Sequence, residues 1–129
     1  MKTIIVIAKN PKEGNWLKTL LSQRQYFLKI LDRIENVEKE VKEIDCNTII
    51  LDLDSISMDN RTIRELTLQF PQIYFLCTSK DRFHPELKDA ICYHIYACLN
   101  KPIDPDELLY WLRCIEDNDS DEPSNTGNI

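Results

Sequence analysis

The chain has 129 residues, the length of one ordinary domain, and its 43% hydrophobic and 29% charged residues suffice for one buried core. Its formal net charge is −6, so counterion release offers it nothing on nucleic acid and direct DNA or RNA binding is not expected. No apolar run approaches the ~20 residues that span a bilayer.

In chain order, Ile4–Ile7 is a short β-branched run that reads as a strand buried on both faces, not as the apolar region of a signal peptide. Asn10 and Pro11 open a segment in which Trp16, Leu17, Leu20 and Leu21 recur at helical spacing. Phe27–Leu31 reads as a second strand with Lys29 at an exposed position. Val37, Val41 and Ile44 form the stripe of an amphipathic helix. Thr48–Leu51 is the third strand, Ile63, Leu66 and Phe70 mark a helix that ends near Pro71, and Ile73–Cys77 is the fourth strand. Pro85 sits near the start of a helix carrying Leu87, Ala90 and Ile91. Tyr96–Leu99 is a short fifth strand. Asp104, Pro105 and Glu107 then form a helix start, and Leu108, Leu112 and Ile115 give the last helix one apolar face.

Five strands alternating with five helices imply a parallel sheet covered on both faces. The simplest such α/β topology is the flavodoxin-like doubly wound sheet. The domain is expected over residues 1–117. Residues 118–129 are polar and acidic until Ile129 and read as a disordered tail or linker. Cys46, Cys77, Cys92, Cys98 and Cys114 are odd in number and form no CxxC pair, which suits free thiols in a reducing cytoplasm. His84 and His94 lack metal-ligand spacing.

In a doubly wound sheet, functional groups collect at the carboxyl ends of the strands. Those positions read Ala8-Lys9-Asn10, Asp52-Leu53-Asp54, Thr78-Ser79 and Lys101-Pro102, so a carboxylate, a hydroxyl and an ammonium follow three separate strands. Over about residues 2–116 this set resembles the receiver (CheY-like) family of response regulators. TIILDLDSISMD resembles the phosphoacceptor strand and its loop, with Ile56 and Asn60 where the family carries proline and glycine. CTSKD resembles the end of the fourth strand, with either Thr78 or Ser79 as the hydroxyl residue. CLNKPIDPDELL is the most specific match.

The resemblance implies that Asp52 is the phosphoacceptor and that Thr78 and Lys101 contact the phosphoryl group. It also implies a cis Lys101–Pro102 peptide that aims Lys101 toward Asp52. Two departures stand out. The two acidic residues that hold Mg²⁺ in receivers are Ala8 and Lys9 here, so no cofactor is expected and any Mg²⁺ binding should be weak. The aromatic position on the fifth strand is Cys98. Lys9 is expected to replace the missing cation by pairing with Asp52, with Asp54 beside them in the pocket; the alternative is that Lys9 extends into solvent and touches nothing.

The resulting expectation is an atypical, phosphorylation-independent receiver that acts by protein–protein interaction. Its partners would be a histidine kinase or other signalling protein, an output domain or a second copy. A working phosphoacceptor on Asp52 is the alternative. LDLDS also resembles the nucleophile motif of haloacid-dehalogenase-type phosphatases, with Thr78 and Lys101 as that family's hydroxyl and lysine. That motif, however, usually ends a first strand. The later acidic pair that the family needs would fall on Asp104 and Asp106, which read as helix capping, so an enzyme is not expected.

Overall fold

The structure, a computed structural model, describes residues 2–56, 58–80 and 95–128, without the side chains of Lys2 and 119–128. The elements are β1 (Lys2–Ile7), α1 (Pro11–Ser22), β2 (Tyr26–Leu31), a 3₁₀ turn (Ile34–Asn36), α2 (Val37–Glu43), β3 (Cys46–Asp52), α3 (Asn60–Gln69), β4 (Tyr74–Ser79), β5 (Ala97–Asn100) and α4 (Pro105–Asn128). The strands form one parallel sheet in the order β2-β1-β3-β4-β5. This is the doubly wound arrangement expected from the sequence. The helix expected around Pro85–Ile91, with His84, Cys92 and His94, lies outside the described residues.

Strand periodicity sorts the core into two layers. Ile5, Ile7, Ile49, Leu51, Phe75 and Cys77 pack with Val37 of α2 and Ile63 and Leu66 of α3. Ile4, Val6, Ile50, Leu76 and Leu99 point the other way and pack with Leu17 and Leu21 of α1 and Leu108, Leu112 and Ile115 of α4. With both faces covered, β1 and β3 can be apolar almost throughout. The edge strand β2 instead alternates, exposing Phe27 and Lys29.

Local chemistry sets the helix starts. The Asn10 carboxamide oxygen accepts from the backbone N–H groups of Lys12 at 3.0 Å and Glu13 at 3.4 Å, and Pro11 fits the first turn. Asp104 likewise accepts from the N–H of Asp106 at 3.0 Å. α4 continues through the acidic segment after Asp117, and the Asn118 carboxamide donates to the Tyr96 hydroxyl at 3.1 Å. The Lys101–Pro102 peptide is cis, as the resemblance implies. No helix among the described residues is long and apolar enough to cross a membrane.

α1 stops where Arg24 and Gln25 turn back to donate to the Leu21 and Ser22 carbonyls, and Gln25 takes φ = 69°. This left-handed conformation costs a side-chain-bearing residue about 1 kcal/mol relative to glycine. Gln25→Gly is therefore expected to raise the urea midpoint modestly. An unchanged or lower midpoint would mean that the Gln25 side chain offsets the backbone strain.

Candidate functional site

The site follows from strand phase. Val6, Ile50, Leu76 and Leu99 all face α1 and α4. Two residues further along come Ala8, Asp52, Thr78 and Lys101, and a period of two returns each to that same face at the carboxyl edge of the sheet. Asp52 and Thr78 are direct partners across β3 and β4.

Asp52 is 1% exposed, and both of its carboxylate oxygens are engaged. Oδ1 accepts from Lys101 Nζ at 2.7 Å and from the Asp54 N–H at 3.1 Å; Oδ2 accepts from the Ser55 hydroxyl at 2.8 Å. Ser55 Oγ in turn accepts from the Lys9 backbone N–H at 3.0 Å. The Lys101 ammonium also lies 3.2 Å from Asp54 Oδ2 and 3.2 Å from Glu13 Oε2. One cation is thus shared by three carboxylates drawn from α1, the end of β3 and the loop after it. Asp54 further accepts from the Lys80 N–H at 2.9 Å and the Ser79 hydroxyl at 3.4 Å.

Burial favours a neutral Lys101, but hydrogen bonds to Asp52, Asp54 and Glu13 outweigh it and raise its pKa. Burial likewise pushes the Asp54 carboxyl up, and hydrogen bonds from Lys101 and Lys80 more than reverse this, holding it below the usual carboxylate range. A surface cavity of about 370 Å³ opens onto the cluster, lined by Asn10, Lys12, Glu13, Trp16, Lys101, Pro102 and Ile103.

The expected Lys9–Asp52 pair does not form. The Lys9 side chain is exposed and lines a different surface hollow with Asp32, Arg33 and Ile34, and its ammonium makes no ion pair among the described residues. The reason is phase: Lys9 is one residue out of step with Ala8, so it points away from the face that carries Asp52. Asp54, by contrast, does lie in the pocket. Glu13 and Ser55 were not legible as site residues, although Asn10-Pro11 marks a helix start and so places Glu13 in its first turn. Of the two candidate hydroxyls, Ser79 contacts Asp54, whereas Thr78 Oγ1 is buried without a hydrogen-bond partner among the described residues.

No family model matches the sequence, and no curated protein matches it significantly. Solved structures do. A signal receiver domain of an HD-domain-containing protein from Pseudomonas fluorescens Pf-5 superposes with a TM-score of 0.79 at 22% identity, covering 91% of this chain and 95% of that one. The chain has the receiver fold. A CheY-like receiver domain protein from Methanospirillum hungatei JF-1 gives 0.79 at 13% identity, over 94% of this chain and 98% of that one. The beryllofluoride-activated NtrC4 receiver domain dimer gives 0.77 at 20%, over 89% and 96%. At such identities the likeness is one of fold, and function has to be argued from the site.

The resemblance to receivers implies a magnesium ion beside the acceptor. The residues present do not fit one: Ala8 offers a methyl group, and the Lys101 ammonium already binds the carboxylates. Among the described residues, no group of three or more His, Cys, Asp or Glu side chains is placed to hold a metal ion.

The depressed Asp54 pKa contributes stability above its unfolded value of about 3.9, lost as pH falls through the lower folded value. The raised Lys101 pKa contributes stability in full below about 10.4, lost as pH rises through the higher folded value. Both contributions are complete at neutral pH. Lys101→Met should cost roughly 2–4 kcal/mol there, because it strands a buried carboxylate. It should also remove the hydrogen bond from Lys101 that holds the Asp54 pKa down, so the variant should lose less stability than the wild type as pH falls to about 3. Urea denaturation of both proteins at the two pH values checks this.

Proposed function

We propose that this chain is a receiver-like module of two-component (phosphorelay) signalling, and that it works through protein–protein contacts without needing an acyl-phosphate cycle. The receiver fold supports the general assignment. The state of Asp52 carries the specific one: the carboxylate is 1% exposed, with Oδ1 held by Lys101 and the Asp54 N–H and Oδ2 held by Ser55. Ser55 takes up one of the two acceptor sites of Oδ2, and burial limits the access of a phosphoryl donor to the other. Ala8, the in-phase residue after β1, supplies no oxygen ligand to bring a divalent cation and its phosphate alongside.

On this reading Lys101 supplies the positive charge of the site permanently. The ion pairs tie α1 to the loops after β3 and β5 and hold one surface conformation for a partner. The partner would be a histidine kinase or other signalling protein, an attached output domain, or a second copy of the chain. Mg²⁺ affinity should be weak for the same electrostatic reason. Free thiols at Cys46, Cys77, Cys98 and Cys114 suit a reducing cytoplasm.

One observation favours a second reading, phosphorylation on Asp52. Thr78 Oγ1, on the strand position directly beside Asp52, is buried with no hydrogen-bond partner among the described residues, as a hydroxyl waiting for phosphoryl oxygens would be. Intact-mass measurement after incubation with acetyl phosphate and Mg²⁺ separates the two. The proposed reading expects no added phosphoryl mass. A stoichiometric phosphoryl adduct that disappears in Asp52→Asn would establish the second reading instead.

A further inference from the structure

Cys77 and Cys98 are direct partners on the adjacent parallel strands β4 and β5. Direct partners point to the same face, and both side chains meet the core layer that contains Leu51 and Phe75. Cys77 is fully buried and Cys98 is partly exposed. We infer that Cys77 and Cys98 form a reversible redox pair, in which a peroxide oxidises Cys98 and Cys77 closes a disulfide across β4 and β5.

The division of roles follows from the surroundings. Cys98 is the partly exposed member of the pair. Its hydrogen bond from Cys77 stabilises a thiolate and lowers its pKa, against opposing effects from partial burial, Asp54 and Glu107. Cys77 is held protonated by its hydrogen bond with Cys98 and by burial. Thiolate character and access make Cys98 the attacking sulfur and Cys77 the resolving one. Cys46 lacks this arrangement: its thiol donates to the Thr48 carbonyl at 3.1 Å, and burial raises its pKa.

The chemistry balances with the peroxide as oxidant. The Cys98 sulfur attacks one peroxide oxygen, the O–O bond breaks, and Cys98 becomes a sulfenic acid as hydroxide leaves and takes up a proton. The Cys77 sulfur then attacks the Cys98 sulfur. The S–O bond breaks, the S–S bond forms and a second water leaves. The two cysteines lose two electrons, which reduce the peroxide.

The spacing allows this bond but does not relax it. Hydrogen-bonded strands lie about 4.8 Å apart, within the roughly 4.4–6.8 Å Cα separation of disulfides. Side chains standing abreast at that spacing are wider than the ~3.8 Å Cβ separation that a disulfide prefers. Closure therefore draws the strands together and yields a strained, readily reduced bond, the property of a regulatory disulfide and not of a structural one. Thr78 follows Cys77 directly, and Lys101 lies three residues beyond Cys98, so closure acts at the root of the carboxylate–ammonium site.

The test is a peroxide titration of the wild-type protein, followed by blocking of free thiols and non-reducing peptide mapping. The expected result is a cross-linked peptide joining Cys77 to Cys98, lost on treatment with dithiothreitol. In Cys77→Ser, Cys98 should instead accumulate a sulfenic acid that dimedone traps; in Cys98→Ser, both the cross-link and the trapped product at this site should be lost. The inference is overturned if Cys98 stays a free thiol under peroxide. It is also overturned if Cys98 accumulates sulfenic acid while Cys77 is present, or if either cysteine pairs with a different one. The mapping uses wild-type protein, so a variant that fails to fold does not blunt the result.

Discussion

The Lys101 ammonium is the point on which the carboxyl edge of this sheet depends. It is 2.7 Å from Asp52, 3.2 Å from Asp54 and 3.2 Å from Glu13, and its side chain is only 11% exposed. A carboxylate as buried as Asp52 needs a compensating charge, because an unpaired charge is costly to take out of water. Where a divalent cation would meet that need with oxygen ligands, this edge has the methyl group of Ala8 and a lysine fixed to the chain. The geometry follows from simple constraints. Strand phase turns Asp52 and Lys101 to one face, and the Asn10 cap starts α1 where Glu13 can reach across. Glu13 is also favourably placed for the helix dipole, since a carboxylate in the first turn faces unpaired N–H groups.

The cluster has consequences for motion as well as charge. Ser55 links Asp52 to the Lys9 backbone, and Asp54 links Lys101 to the Lys80 backbone, so the loops after β1, β3, β4 and β5 share one network. Such networks favour a single arrangement over a set of interchanging ones when every member is satisfied. Thr78 Oγ1 is the exception, a buried hydroxyl at the centre of the site with no partner among the described residues. Its neighbour on β4, Cys77, carries the redox chemistry inferred above, so two unspent chemical capacities sit side by side on that strand.

Much of the fold was legible because burial on both faces writes itself into β1, β3 and β4 as short apolar runs, and because Asn10-Pro11 and Asp104-Pro105 mark helix starts. Asp52, Asp54, Thr78 and Lys101 were found as the polar residues that follow those runs. The expected pairing of Lys9 with Asp52 fails because the alternation of side chains turns Lys9 to the other face. Ala8, the in-phase residue, was the informative one. Glu13 was missed for a different reason: its role depends on how α1 docks over the sheet, a tertiary fact that no local pattern around Glu13 encodes. Ser55 was missed because a serine three residues after an aspartate reads as an ordinary turn until the carboxylate proves to be buried.

The most direct measurement is a double-mutant cycle on stability between Glu13→Gln and Lys101→Met, read from urea denaturation at neutral pH. If one ammonium binds the carboxylates into a unit, the two changes should couple by roughly 1–3 kcal/mol, with Glu13→Gln losing its cost once Lys101 is gone. Additivity within about 0.5 kcal/mol would contradict the account, since it would mean that Glu13 and Lys101 do not share a common charge balance.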